Sequence, residues 1–345
     1  MTPPSLNRRD FLQTSATAGV VASMVSGTTA QAEEPAKNAG GIPLRVLGKT
    51  GERVTAIGLG GHSATNPKKL SEAESLKLIQ RAIHEGITFL DNAWEYHDGV
   101  AEERMGKALA AGKLRDQIFL MTKCCGRNAK DAQSSLDDSL RRLKTDHLDL
   151  WQFHEIIYDN DPEWIFANDG AIKTALKALE TGKVRFLGFT GHKDPSIHLK
   201  MLGMPFDWAT VQMPLNVMDV HFRSFQKQVL PELVRRQIGV LAMKSLGGSG
   251  KIVSEGGVSI EEALRYVLSL PVSTLISGID SEKILDQNLK VVREFQPLTE
   301  AERNDIESKT IKVAGDGRFE LFKSSKQYDG PTHRKQHGFE GEDTL

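Results

Sequence analysis

The sequence is short of the features that mark several protein classes. Cysteine occurs twice in 345 residues, as the adjacent pair Cys124 and Cys125, too few for a disulfide scaffold. A bond between neighbouring cysteines is strained, so two buried free thiols are expected. Neither sign of charge is in excess: 44 basic residues face 45 acidic ones, a formal net charge of −1. That leaves no electrostatic footprint for nucleic acid or for an anionic membrane. No apolar run is long enough to act as a membrane anchor. Solenoid repeats and low-complexity linkers are absent, and no G-x-G-x-x-G follows a strand. What is present is enough apolar surface for a core, at 39% hydrophobic residues, which excludes a disordered chain. Length alone suggests roughly two domains, but a β/α barrel can use the whole chain as one.

The first residues read as an address. Arg8 and Arg9 precede Phe11 and Leu12, an uncharged small-residue stretch runs from about Thr14 to Thr28, and Ala30-Gln31-Ala32 supplies a cleavage site. This pattern predicts a signal over residues 1–32 for the twin-arginine export machinery, and a periplasmic or extracellular destination. A linker is expected over 33–41, a folded domain over 42–313, and a tail over 314–345 that is either a lid or disordered. The twin-arginine route carries folded proteins, so a cofactor acquired in the cytoplasm can travel with its protein.

Within the domain, Leu44-Arg45-Val46 and Arg53-Val54 flank a glycine-containing turn and predict a hairpin. Short apolar strands then alternate with amphipathic helices. Strands are expected at 55–59, 87–90, 117–122, 148–153, 184–189, 208–212, 239–243 and 273–277. Helices are expected at 71–85, 101–111, 131–143, 171–180, near Ile197, at 222–236, 260–270 and 282–293, with an added helix at 299–312. Ser71 and Glu74 have the spacing of a capping box. Eight such units imply a parallel sheet closed as a (β/α)8 barrel, with a doubly wound open sheet as the alternative.

A barrel carries its chemistry at the C-terminal ends of its strands. Those ends hold Asp91, with Tyr96 in the following loop, then Lys123, His154, Thr190 followed by His192, Gln212, and Lys244. A lone Asp after a strand is commonly a turn former, and a lone Lys or His commonly a solvated or scaffold residue. Asp, Tyr, Lys and His on one face of three successive units are harder to explain that way.

The stretch Phe89-Leu90-Asp91-Asn92-Ala93-Trp94-Glu95-Tyr96 resembles the D-x-A-x-x-Y motif of the aldo-keto reductases. Thr122-Lys123, Gln152-Phe153-His154, Leu187-Gly188-Phe189-Thr190 and Val211-Gln212-Met213-Pro214-Leu215-Asn216 are similar to that family's strand ends. The likeness runs from about Leu44 to Arg293. It implies a (β/α)8 barrel, NADP(H) or NAD(H) as cofactor, a small carbonyl or alcohol substrate, and no metal. It further implies that Tyr96 donates the proton in carbonyl reduction, that Lys123 draws the phenol down from about 10, that Asp91 holds Lys123, that His154 orients the substrate oxygen, and that Gln212 and Thr190 hold the nicotinamide carboxamide. Leu246 and Gly248, in a flexible loop beside Lys244, meet the pyrophosphate, and Ser281, Lys283, Gln287 and Asn288 lie at the adenosine end. Four places depart from the pattern. Thr190-Gly191-His192 stands for Ser-Asn, Met243 for an aromatic residue, Lys244-Ser245-Leu246 for Ser-Pro-Leu, and Ile284 for the arginine that meets a 2′-phosphate. The function implied is reversible conversion of a carbonyl and an alcohol. The alternatives are a non-catalytic regulatory or binding barrel, and an isomerase that uses a tightly held NAD(P) transiently. Trp94, Tyr158, Trp164 and Phe166 are candidates either for an apolar mouth or for packing.

Overall fold

The computed structural model describes residues 36–338. The signal sequence expected over 1–32 lies outside the described residues. Asn38 fixes the start of the described chain: its Nδ2 donates to the Gly86 carbonyl at 2.7 Å, and its Oδ1 accepts from the Gly40 and Ile42 amides.

Strands β1 (Leu44–Val46) and β2 (Arg53–Thr55) form the expected antiparallel hairpin. Eight parallel strands follow: β3 (Ile57–Gly60), β4 (Phe89–Asp91), β5 (Phe119–Cys124), β6 (Leu148–Phe153), β7 (Val184–Thr190), β8 (Thr210–Pro214), β9 (Gly239–Met243) and β10 (Thr274–Ser277). They close in sequence order, with β10 paired to both β9 and β3. The architecture is therefore the closed (β/α)8 barrel, and the open-sheet alternative falls. Central strands read as continuous apolar runs because helices cover the outside and side chains fill the inside.

The helices end where their caps dictate. Helix Glu72–His84 begins with a complete capping box between Ser71 and Glu74, and helix Glu282–Arg293 begins with the Ser281 hydroxyl accepting from the Ile284 amide. The single helix expected over 222–236 is instead two pieces, Phe225–Gln228 and Leu230–Arg235. Pro231 has no N–H to donate, so a continuous helix would lose a bond there. The Asp219 carboxylate and the Ser224 hydroxyl receive the amides at the start of the first piece.

Inside the barrel, Phe89, Phe119, Met121, Leu150, Leu241 and Ile276 form one apolar cluster, and Leu47 and Val54 of the hairpin close it from the N-terminal end. The Phe89 and Phe119 rings stack at 5.2 Å, and Phe119 stacks on Phe186 at 6.3 Å. This layer is the floor on which the polar C-terminal end rests. Beyond helix Glu300–Ala314, residues 315–338 lie across that C-terminal end.

Candidate active site

Strand register sets the site. Gly60 pairs with Asp91, and Asp91 with Met121, so Lys123 projects two residues beyond its neighbour's end. Gly61 follows β3 because a Cβ there would stand 2.5 Å from the Asp91 carbonyl oxygen. Tyr96 opens a tight turn in which His97 and Asp98 adopt left-handed backbone, with φ of 54° and 55°. Three secondary elements thus bring Asp91, Tyr96 and His154 to the lining of one cavity of about 550 Å³, with Lys123 buried behind them.

The Lys123 ammonium is fully used. It donates to the Asp91 carboxylate, to the Asn92 carbonyl at 2.7 Å and to the Tyr96 hydroxyl oxygen at 3.2 Å. Gln212 Nε2 donates to the other Asp91 oxygen at 2.7 Å. Because Tyr96 accepts from Lys123, its own hydrogen is free for another acceptor. The expected downward pull on the phenol is not found. Burial raises Tyr96 well above its ordinary value, and the charges of Asp91, Glu95 and Glu155 raise it further. Burial is the main cause, and Asp91 offsets Lys123 while two further carboxylates stand nearby.

His154 lies just past β6 at the same floor, with its ring edge-on to Tyr96 at 5.6 Å between centroids. Its Nδ1 is 2.5 Å from Glu95 Oε1 and 3.8 Å from Cys125 Sγ. Donor atoms of Glu95, Cys125 and His154 all lie within 4.8 Å of one another. The short Glu95–His154 separation, however, is that of a hydrogen bond, tighter than two ligands of a common zinc ion stand apart. The two cysteines are free and buried, as expected. Burial pushes the Cys124 thiol up to about 12 and raises Cys125 as well.

A second layer steadies this floor. Arg127, itself buried, donates to the carbonyls of Cys125, His154 and Glu155 at 2.7–2.8 Å and pairs with Asp161 at 2.9 Å. Burial would raise the Glu155 carboxyl, but a hydrogen bond from His337 and the neighbouring histidine charges leave it well below its usual range. Burial, then Lys244, push His192 well below the ordinary imidazole value, and burial and His97 bring His62 down to about 4. Both rings line the cavity.

The expected cofactor residues divide. Gln212, Lys244 and Gly248 line the cavity. Lys244 has φ 56°, and its ammonium lies 5.4 Å from the Phe322 ring and 5.6 Å from the Tyr328 ring, both from the segment after residue 314. Thr190 is buried with its hydroxyl against Met243 Sδ at 4.0 Å, so its side chain does not reach the cavity. Leu246 packs on the main core, Ser281 caps its helix, Lys283 is exposed, and Asn288 donates to the Ser277 hydroxyl at 2.8 Å. Gln287 faces a separate groove between helices Ile260–Leu268 and Glu282–Arg293. None of the four aromatic candidates lines this cavity. Trp94 donates to Asp138, Phe166 packs on Trp208, Tyr158 donates to the Asp329 carbonyl at 2.7 Å, and Trp164 borders a side pocket.

Sequence reasoning missed Glu95, Glu155, His62 and the residues contributed from beyond the barrel, among them Tyr328 and His333. Glu95 stood inside the motif already read, one position before Tyr96, and Glu155 directly after His154. No local signal marks the others, whose partners are far away in sequence.

Comparison with known proteins finds the same architecture elsewhere. The aldo/keto reductase family model matches residues 56–254. L-galactose dehydrogenase of Arabidopsis thaliana is 26% identical over 304 residues, covering 74% of this chain and 90% of that one. A 6-dehydroglucose reductase of Novosphingobium aromaticivorans is 31% identical over 227 residues, covering 61% and 71%. Among solved structures, an aldo/keto reductase from Klebsiella pneumoniae in complex with NADP and acetate superposes with a TM-score of 0.61 at 22% identity. It covers 77% of this chain and 95% of its own.

Proposed function

The chain belongs to the aldo/keto reductase family, and from that premise we propose that it reduces the carbonyl of a small polyhydroxylated compound to an alcohol. Tyr96 is the proton donor, and a nicotinamide dinucleotide, NADP(H) or NAD(H), is the partner. The observation that carries the reading is the Tyr96 hydroxyl held 3.2 Å from Lys123 Nζ above a buried Lys123–Asp91 pair.

The residues fit such a cofactor. Gln212 commits its Nε2 to Asp91, while its buried Oε1 has no partner and suits the N–H of a carboxamide. Gly248 and Gly250, with φ of 74° and 78°, have open space where a Cβ would stand, so this backbone can approach a pyrophosphate. When bound, the dinucleotide supplies the hydride. Everything else is done by side chains. As the carbonyl carbon is reduced, negative charge develops on its oxygen. The Tyr96 O–H bond breaks, the new substrate O–H forms, and the phenolate remains beside the Lys123 ammonium. Burial and three carboxylates keep Tyr96 as the phenol, the form that carries the proton to be donated.

The walls favour a hydroxyl-rich substrate. His62, His97, His192, Gln327 and Gln336 offer hydrogen-bonding groups to the cavity, against Met243 and Ile276 as its apolar side chains. Two relatives named for sugar chemistry are consistent with that choice.

The test compares wild type with Tyr96→Phe in carbonyl-dependent oxidation of the reduced dinucleotide. The substitution is expected to lower kcat about 10²- to 10⁴-fold while leaving dinucleotide affinity within a few-fold. Turnover equal to wild type would refute the proton-donor role.

We extend the reading to location: residues 1–32 direct twin-arginine export of the folded, cofactor-loaded protein. Replacing Arg8 and Arg9 by lysine should trap the protein in the cytoplasm. Unchanged export on cell fractionation would overturn that address.

A further inference from the structure

We infer that Glu95 is a positioning residue for His154, fixing a proton on its Nδ1 and presenting Nε2 to the reacting oxygen. The inference rests on the carbonyl reduction proposed above.

The geometry is direct. Glu95 Oε1 is 2.5 Å from His154 Nδ1, with side chains only 11% and 9% exposed. The backbone that carries the ring is held, because its carbonyl accepts from Arg127 at 2.7 Å and its amide donates to the Cys124 carbonyl at 2.8 Å. The bond to Glu95 therefore selects both tautomer and orientation. Nε2 is the nitrogen left for the cavity that His154 lines.

Fixing Nδ1 gives the two charge states of the ring different roles. In the cationic ring Nε2 carries hydrogen and donates to a carbonyl oxygen, which assists reduction beside Tyr96. In the neutral ring Nε2 carries a lone pair and accepts from an alcohol hydroxyl, which suits the reverse direction. The other titratable groups facing the ring are neutral or paired elsewhere. Burial keeps Tyr96 as the phenol, Cys125 as the thiol and His192 as the neutral imidazole. Glu155 is engaged by His337 and faces Lys244 across the cavity, Arg127 is paired with Asp161, and Lys123 is paired with Asp91. Glu95 is the one carboxylate bonded to the His154 ring among the described residues.

Glu95→Ala removes the hydrogen-bond acceptor, and Glu95→Gln keeps one. Two readouts separate the role. In the purified full chain labelled with ¹⁵N-histidine and followed by NMR without substrate, the neutral His154 ring, assigned with His154→Gln, should carry its proton on Nδ1 in wild type and in Glu95→Gln, and become a mixture of tautomers in Glu95→Ala. In carbonyl reduction kcat should drop about 10- to 100-fold in Glu95→Ala with KM within a few-fold. Glu95→Gln should restore most of that loss, and it guards against a Glu95→Ala chain that does not fold. A His154 tautomer unchanged by Glu95→Ala would overturn the inference. A wild type that reduces no carbonyl compound would overturn the functional reading instead, while the NMR spectrum still judges the Glu95–His154 pair.

Discussion

At the N-terminal end of the barrel, Leu47 and Val54 drop onto stacked Phe89 and Phe119, with no ionisable group in the cluster. At the C-terminal end, the cavity is lined by Asp91, Tyr96, His154 and Glu95, and the covering comes from a segment more than 150 residues away. The first end is closed mainly by apolar area, worth about 25 cal/mol per Å² removed from water, with Arg185 pairing Glu52 and Asp149 around it. The second keeps polar atoms unpaired, including Glu95 Oε2 and Gln212 Oε1, at a cost in stability. One end stabilises the fold, and the other holds groups that a ligand can complete.

That contrast can be broken by substitution. The largest effect on stability belongs to the N-terminal end. Leu47→Ala should cost about 2–5 kcal/mol in chemical denaturation, because Leu47 is fully buried. Its kcat/KM should stay within about twofold, in contrast with Tyr96→Phe, which removes turnover and spares the fold. If Leu47→Ala cripples catalysis in the folded protein, the two ends are coupled and the division fails.

A smaller effect belongs to the covering segment. Glu320 is buried, accepting from Asn216 at 2.9 Å and from Lys323 at 2.9 Å, while Lys323 also pairs with Asp219 at 2.6 Å. Burial pushes the Glu320 carboxyl up to about 7 from 4.5, with Lys323 opposing and Asp219 adding to the rise. Between those two values the folded chain holds a proton that the unfolded chain has released. Stability therefore falls as pH rises through that window, by about 1–3 kcal/mol, and is flat from this group on either side. Glu320→Gln should abolish that component in unfolding measured from pH 4 to 8. Parallel curves for the two proteins would show that Glu320 does not titrate there.

The N-terminal end and the barrel were legible because their signals are local. Apolar strands, glycine turns and the Ser71–Glu74 box each act over a few residues, and β6, β9 and helix Glu282–Arg293 lie where periodicity predicts. Asp91, Lys123, His154 and Gln212 were legible once strand ends were taken as the working face. Glu95 was not, because its partner lies 59 residues onward and is met only when β4 and β6 are aligned around β5. The sign of the shift on Tyr96 was missed for the same reason: the carboxylates surrounding it come from two loops. The break in the 222–236 helix had a local cause in Pro231, outweighed there by the apolar spacing.

The position of Tyr328, His333 and Gln336 at the cavity also sets an order of assembly. These residues are synthesised after all eight strands and after every member of the tetrad. A nascent chain that has emerged through Arg293 contains all eight strands and the last helix of the eighth unit, yet the mouth of its site remains unroofed. The cavity acquires its full wall only when translation has passed residue 336, so folding of the barrel and completion of the pocket are separate events in time.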